Sequence, residues 1–514
     1  MEKRKKNITI INEKYKLYAL LFSLILLIFA QYSLSHFPAG LFEDDTYFYY
    51  TISYNSLIKG FITFDGIHPT NGFHPLWMFL LYICGLPLKL IGINNPAIYG
   101  FIFNLFSVFI WYLIFLNLKT ILVQFLAFSF ALISGFGMEG GLAGLIIIQI
   151  FKSYFHEEYK FKNWLFFPLV LTRIDLSITA LFLSLKKIKF KTFWEIKPFL
   201  IILLAIFSTF LLNFILDGSI FSVSSIIKSS EGNLHSPFIN FLNNINQGIG
   251  NYIRYTFIFT ICSILFYLIF LSKRLPNIFN RKLPNTYTTL YLCASSLSFL
   301  IFHTIFGDVR DWYFAPTGIS LIFLLDNFLK TREFQEKKFI IFIIGLLLSL
   351  MLTSSFGYFI KERKNSLLAK DFTNQVTNSI PSNSRIYIVD GSGYLSWALL
   401  PNLNVVNGDG LVNSFKYYKM IKQRRVDLFL DYLKTNKIEY YITNGHFEHC
   451  LGNPWIYGKC DQFKNNDEIV TRIRDQNGVN IKIIGGEEIV RSKSKRKFMQ
   501  YKLNKYPLSI FNIK

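Results

Sequence analysis

Cysteine is scarce in this 514-residue chain, which has five in all. Cys84, Cys262 and Cys293 fall in apolar stretches and read as inert packing residues. That leaves at most one disulfide: Cys450 and Cys460 either close a loop of about ten residues in an oxidising compartment or stay as two thiols. Acidic residues are also few, 32 against 54 Lys and Arg, for a net charge of +22. The surplus does not form a nucleic-acid surface. The bases fall in short clusters between apolar runs, as at 186–191, 273–282 and 330–338, so the charge reports membrane topology and excludes a nucleic-acid partner. Gly391-Ser392-Gly393 lacks the third glycine of a nucleotide loop and reads as a tight turn. No small-residue cleavage site follows the basic start MEKRKK, which predicts an uncleaved first helix with its N-terminus in the cytoplasm. The two halves show no self-similarity, which disfavours an inverted-repeat transporter.

What the chain has in abundance is apolar surface: 52% hydrophobic residues, 18% aromatics and a mean hydropathy of +0.34. Apolar runs approaching the span length of about 20 residues recur at 18–32, 76–91, 97–116, 121–134, 142–150, 164–185, 198–216, 256–271, 288–306, 312–329 and 339–360. The run 164–185 carries Arg173 and Asp175 at its middle, which predicts two half-helices around a polar cavity or an intrahelical ion pair. Eleven crossings, or nine with a re-entrant hairpin there, give the same parity. The loops 42–77, 217–251 and 307–311 then lie outside, together with everything after residue 361. Past that point the texture is mixed. Strands are predicted at 385–390, 404–406, 438–443, 481–484 and 498–503, with an amphipathic helix over 426–434. The expected architecture is a polytopic α-helical membrane module over 1–360, with about nine to eleven transmembrane helices and a first outer loop at 36–75. A small extracytoplasmic α/β domain over 361–514 completes it.

The segment 42–77, FEDDTYFYYTISYNSLIKGFITFDGIHPTNGFHPLW, is the most informative. Its three consecutive acids, Glu43, Asp44 and Asp45, follow a membrane run, where a carboxylate drawn into hydrocarbon costs at least about 2.5–3.5 kcal/mol. An acidic pair after the first membrane helix, a Tyr-rich stretch and then FDGIHPTNGFHPLW resemble the multi-spanning bacterial glycosyltransferases of the GT-C superfamily. Gly137-Met138-Glu139, Thr172-Arg173-Ile174-Asp175, GDVRDWYF at 307–314 and NGDGLVN at 407–413 extend the resemblance in order along the chain. It implies a polyprenyl-phosphate sugar donor, no nucleotide and an inverting transfer at the outer face of a bacterial plasma membrane. The acceptor would be an envelope glycan or lipid. The rival class is a transporter or flippase for lipid-linked sugars.

Such a transfer needs a base for the acceptor hydroxyl and cations for the departing phosphate. Adjacent carboxylates, partly desolvated, gain proton affinity, and the resemblance puts the base on Asp44 first and Asp45 second, with Glu43 as a flanking acid. Adjacent residues point in different directions, so the two acids need not share one role. Arg310, Lys228 and Arg173 are the phosphate candidates; Arg310 offers a bidentate fork or pairs with Asp308 and Asp311, and Arg173 is otherwise a buried ion pair with Asp175. His68, Asn71 and His74 are substrate-binding candidates on a Pro-rigidified loop. The two histidines with the acids are the one place for a divalent metal, although no His-x-x-x-His spacing supports it, and no other cofactor is expected. Glu139 is the weakest candidate. Asp409 sits at a Gly-flanked turn that the resemblance aims at the membrane cavity and the acceptor, or it forms a plain turn.

Overall fold

The computed structural model describes residues 2–35, 42, 44–155, 163–185, 193–231, 249–274, 286–306, 310–330, 373–374, 376–378, 380–388, 392–423, 426–438, 440–444, 488–491 and 508–512. Glu43, the span 339–360, Cys450 and Cys460, and most of the basic clusters lie outside them. Within them four helices are long and apolar enough to cross a membrane: Glu13–Ser35, Pro96–Asn117, Ile196–Asp217 and Tyr287–Ile305. Shorter apolar helices, among them Pro75–Leu90, Ile121–Ala131, Gly140–Phe155 and Phe314–Asn327, pack between and against these.

Helix starts follow local chemistry. Asn95 caps the Pro96–Asn117 helix by accepting from Ala97 N–H, and Pro96 occupies a first-turn position where no N–H is needed. Small residues set the closest packing. A Cβ added to Gly140 would meet Ala315 at 2.7 Å, and one on Gly144 would meet Ile319 at 2.7 Å, so the Phe314–Lys330 helix lies tight on Gly140–Phe155. The run 164–185 is broken as the buried charges require. Phe166–Thr172 and Ser177–Leu185 are separate helices, and Arg173 between them is extended (φ −157°, ψ 124°).

The first loop is more ordered than its polarity implies. Asp44–Lys59 is a helix, buried almost throughout. Its Tyr-rich face donates hydroxyls to the surrounding scaffold: Tyr47 to Ser33 O at 2.7 Å, Tyr50 to Asn104 Oδ1 at 2.9 Å and Tyr54 to Asn94 O at 2.6 Å. Large rings with one polar tip suit a helix wedged between apolar spans and a wet face.

The C-terminal region forms a five-stranded sheet of β1 (Arg385–Ile388), β2 (Asn404–Asn407), β3 (Tyr440–Asn444), β4 (Glu488–Arg491) and β5 (Leu508–Asn512), in the order β2-β1-β3-β5-β4. β2, β1 and β3 run parallel, while β5 and β4 are antiparallel additions. The first three strands and the Val426–Thr435 helix lie where their β-branched and amphipathic patterns place them. The late strands expected at 481–484 and 498–503 lie outside the described residues. One expectation needs correction. Ser392 and Gly393 form no tight turn but open the Ser392–Leu399 helix, which packs on Asp44–Lys59 through Tyr394 against Tyr47 and Trp397 against Tyr50.

Candidate active site

A cleft opens where the first loop, the helix Val223–Glu231, the Trp312-Tyr313 corner and the C-terminal sheet meet. Its lining includes Asp45, Tyr49, His74, Lys228, Trp312 and Tyr313. Asp45, in the first turn of the Asp44–Lys59 helix, faces Lys228, whose Nζ lies 3.6 Å from Asp45 Oδ2 and 5.7 Å from the Trp312 ring centroid. Both side chains remain partly exposed, at 16% and 33%. Burial pushes the Lys228 ammonium towards neutrality, but Asp45 and Tyr313 together outweigh it and hold the pKa above its ordinary value.

Asp44, one residue earlier, points elsewhere. Its carboxylate is 2% exposed and accepts from Gly393 N–H at 3.1 Å and Tyr394 N–H at 2.8 Å. Successive helix residues diverge by about 100°, so the two acids part at their first turn.

The loop after this helix is held by Asp65, a residue that sequence reasoning passed over inside FDGIHPTNG. Asp65 accepts from Ile67 and His68 N–H, each at 2.8 Å, and pairs with His68 Nδ1 at 2.7 Å. An Asp accepting from N–H groups two and three residues on is the local signal for such a turn. The pairing raises the His68 pKa, although burial opposes it, and the ring stacks on Tyr432 at 5.7 Å. Asn71, fully buried, accepts from Val223 N–H at 2.9 Å and donates to Phe221 O at 3.3 Å. It thereby anchors the start of the helix that carries Lys228. His74 does line the cleft; its ring faces Tyr49 at 6.4 Å, and Nε2 lies 3.5 Å from Glu139 Oε1. Burial lowers its pKa, against the pull of Glu139.

Behind the cleft wall lies a second charged group. Arg173, 2% exposed, donates from Nη1 to Glu139 at 2.8 Å, and from Nε and Nη2 to Asp175 at 3.1 and 2.8 Å. His303 Nε2 lies 2.8 Å from Asp175, and the Tyr313 ring covers the guanidinium at 4.1 Å. Arg173 is thus taken up by two carboxylates and does not line the cleft. Arg310 lies near enough for its charge to act on Lys228. Its carbonyl accepts from Tyr313 N–H at 3.0 Å, closing the corner that presents Tyr313.

Asp409 accepts from Leu411 N–H at 2.9 Å and shapes the turn that puts Leu411 and Val412 into the cleft wall, without lining it itself. Gly72 meets this turn so closely that a Cβ there would lie 2.0 Å from Leu411 O. Thr70 adds a hydrogen bond to Asn413 O at 3.2 Å. The cleft's aromatic wall of Phe48, Tyr49, Trp312 and Tyr313 lies inside the quoted stretches 42–77 and 307–314, but sequence reasoning gave these rings no role, since an aromatic in an apolar chain does not show locally whether it packs or lines a site. Among the described residues no three His, Cys, Asp or Glu groups converge as a metal site, and His68 and His74 hold different partners.

No family model matches the sequence, and no curated protein matches it by sequence. In structure the chain is similar to ArnT from Cupriavidus metallidurans bound to undecaprenyl phosphate, with a TM-score of 0.53 at 11% identity over 96% of this chain and 97% of that one. ArnT in the apo state gives 0.48 at 10% identity over the same shares. The Archaeoglobus fulgidus oligosaccharyltransferase tethered to an acceptor peptide gives 0.42 at 12% identity, over 84% of this chain and 70% of that one.

Proposed function

The chain has the GT-C fold of a multi-pass helical membrane protein, and from that premise we propose that it transfers a sugar from a polyprenyl-phosphate donor to a cell-envelope glycan or lipid. The transfer would take place at the outer face of the plasma membrane. The observation that carries this reading is the Asp45–Lys228 pair, a carboxylate and a charged amine set 3.6 Å apart in an aromatic cleft. ArnT holds undecaprenyl phosphate, and a lipid phosphate is the ligand that such an amine, with Arg310 nearby, would take here. The donor phosphate replaces Asp45 as the counter-ion of Lys228 and releases the carboxylate for work as a base. Asp45 then takes the proton of the acceptor hydroxyl, and that oxygen bonds the anomeric carbon. The bond from that carbon to the phosphate oxygen breaks, and the phosphate leaves with the electron pair on its lipid. In-line attack inverts the anomeric centre. Base removal typically costs about 10²–10⁴-fold in rate.

The contact of Asp45 with Lys228 supports Asp45 over Asp44 as the base, and the engagement of Arg173 with Glu139 and Asp175 supports a structural role for it beside Tyr313 in place of a phosphate contact. His74 and Tyr49 are the groups that meet the sugar, and Asn71 and Asp409 shape the cleft. The test is mass analysis of envelope glycans from a deletion strain carrying Asp45→Asn. Loss of the product, with the protein still present in the membrane, is the expected result. Full restoration would overturn the enzyme reading in favour of the transporter. Sidedness is tested separately: a reporter fused after Lys361 should be active only outside the cytoplasm, and one fused within 273–282 only inside.

A further inference from the structure

Asp44 has no chemical task in that mechanism, yet it is held more firmly than Asp45. Its two oxygens sit at the N-terminus of the eight-residue Ser392–Leu399 helix, accepting from Gly393 and Tyr394 N–H at 3.1 and 2.8 Å. This helix follows β1, a strand in the parallel part of the C-terminal sheet. The helix N-terminus after such a strand is where α/β folds hold anions. Here the anion is a carboxylate from the membrane module of the same chain. The approach is close: a Cβ on Gly393 would lie 2.3 Å from the Asp44 carbonyl oxygen and 2.9 Å from its carboxyl carbon.

We propose that Asp44 is a positioning residue: seated on the Ser392–Leu399 helix, it fixes the first turn of the Asp44–Lys59 helix and with it the direction of Asp45. The inference rests on the transfer reading of the cleft. Once Asp44 is clamped, the peptide joining it to Asp45 cannot turn, and the Asp45 carboxylate stays aimed across the cleft at Lys228. The docked sheet also supplies Leu411 and Val412 to the cleft wall, so docking of the C-terminal domain and assembly of the cleft are one event. The chain uses the same device where no cleft is involved. Asp326, fully buried, accepts from Lys119 and Thr120 N–H, each at 2.9 Å, at the start of the Ile121–Ala131 helix. Asp326 lies about 20 Å along its helix from Tyr313, counting 1.5 Å per residue, and serves as an internal control.

The experiment measures kcat, donor KM and backbone hydrogen exchange on the full-length protein in detergent. A displacement of about 1 Å can cost on the order of 10²-fold. Asp44→Ala and Gly393→Ala are therefore each expected to lower kcat by up to that factor, leave donor KM within about twofold, and raise exchange over 392–399. Asp44→Asn keeps an acceptor oxygen and should retain more kcat than Asp44→Ala, an order that a proton-abstracting role would not produce. Contacting residues couple, so Asp44→Ala with Gly393→Ala should be no worse than the worse single change. Asp326→Asn should lower thermal stability and leave kcat intact. Wild-type kcat in the Asp44 variants despite raised exchange would overturn the inference, as would equal loss in Asp44→Asn and Asp44→Ala. Full transfer by Asp45→Asn would instead sink the transfer reading itself.

Discussion

Two carboxylate–cation groups lie near Tyr313, and they are built for different ends. In one, buried Arg173 joins Glu139, Asp175 and His303, and the hydrogen bonds of the group run at 2.8–3.1 Å. In the other, Asp45 and Lys228 are partly exposed and stand 3.6 Å apart. A buried charge without its partner is costly, so the first group is close to saturated; among the described residues only Glu139 Oε2 of its carboxylate oxygens has no hydrogen-bond partner. A loose pair in a cleft can exchange its counter-ion for a substrate's. Charge in an apolar chain marks importance in both places, and satisfaction of the charge separates scaffold from site.

The largest effects should break this comparison cleanly. Asp45→Asn is expected to lower transfer by about 10²–10⁴-fold, with protein levels and thermal stability near wild type. Arg173→Leu should do the reverse, leaving buried Glu139 without its cation and Asp175 with His303 alone, at a cost of about 3–5 kcal/mol; blotting of membranes and thermal unfolding in detergent would register the loss of protein. If Asp45→Asn destabilises as much as Arg173→Leu, the division between the groups is false.

Smaller changes sharpen it. Lys228→Met removes the cation facing Asp45 and should raise donor KM, since a hydrogen bond to a charged group is worth about 1.5–3 kcal/mol, with little change in stability. Lys228→Arg should recover part of that KM, as the charge remains. Glu139→Gln keeps an oxygen for Arg173 but loses the charge, so it should cost about 1–3 kcal/mol of stability and less activity than Asp45→Asn.

The smallest effect is a pH signature in the first loop, where two histidines shift in opposite senses. His68 is raised above 6.5 because Asp65 outweighs burial, so its stabilisation is present below pH 6.5 and is lost as pH rises through the folded value. His74 is lowered below 6.5 by burial, so its stabilisation is present above pH 6.5 and is lost as pH falls through the folded value. Thermal melts of His68→Gln should lose the alkaline-side decline and keep the acid-side one. A melting profile unchanged by that substitution would show that Asp65 holds the loop through its backbone contacts alone.

The order of the apolar helices, the break at Arg173 and the positions of the first three strands were all legible in the sequence. Each rests on interactions between near neighbours: apolar length, a charge that a continuous span cannot carry, and β-branched alternation. The segment 42–77 was legible as the place to look for the same reason. Which residue does what there was not. Asp44 and Asp45 are chemically identical neighbours, and what separates them is a helix N-terminus 349 residues away for one and Lys228 for the other. Arg173 could be read as a phosphate ligand until Glu139, 34 residues earlier, and the Tyr313 ring took up its guanidinium. Composition and periodicity determined the layers of this protein, because burial acts on each segment by itself. Only the tertiary structure decided which charges are satisfied, because a charge's partner can come from anywhere in the chain.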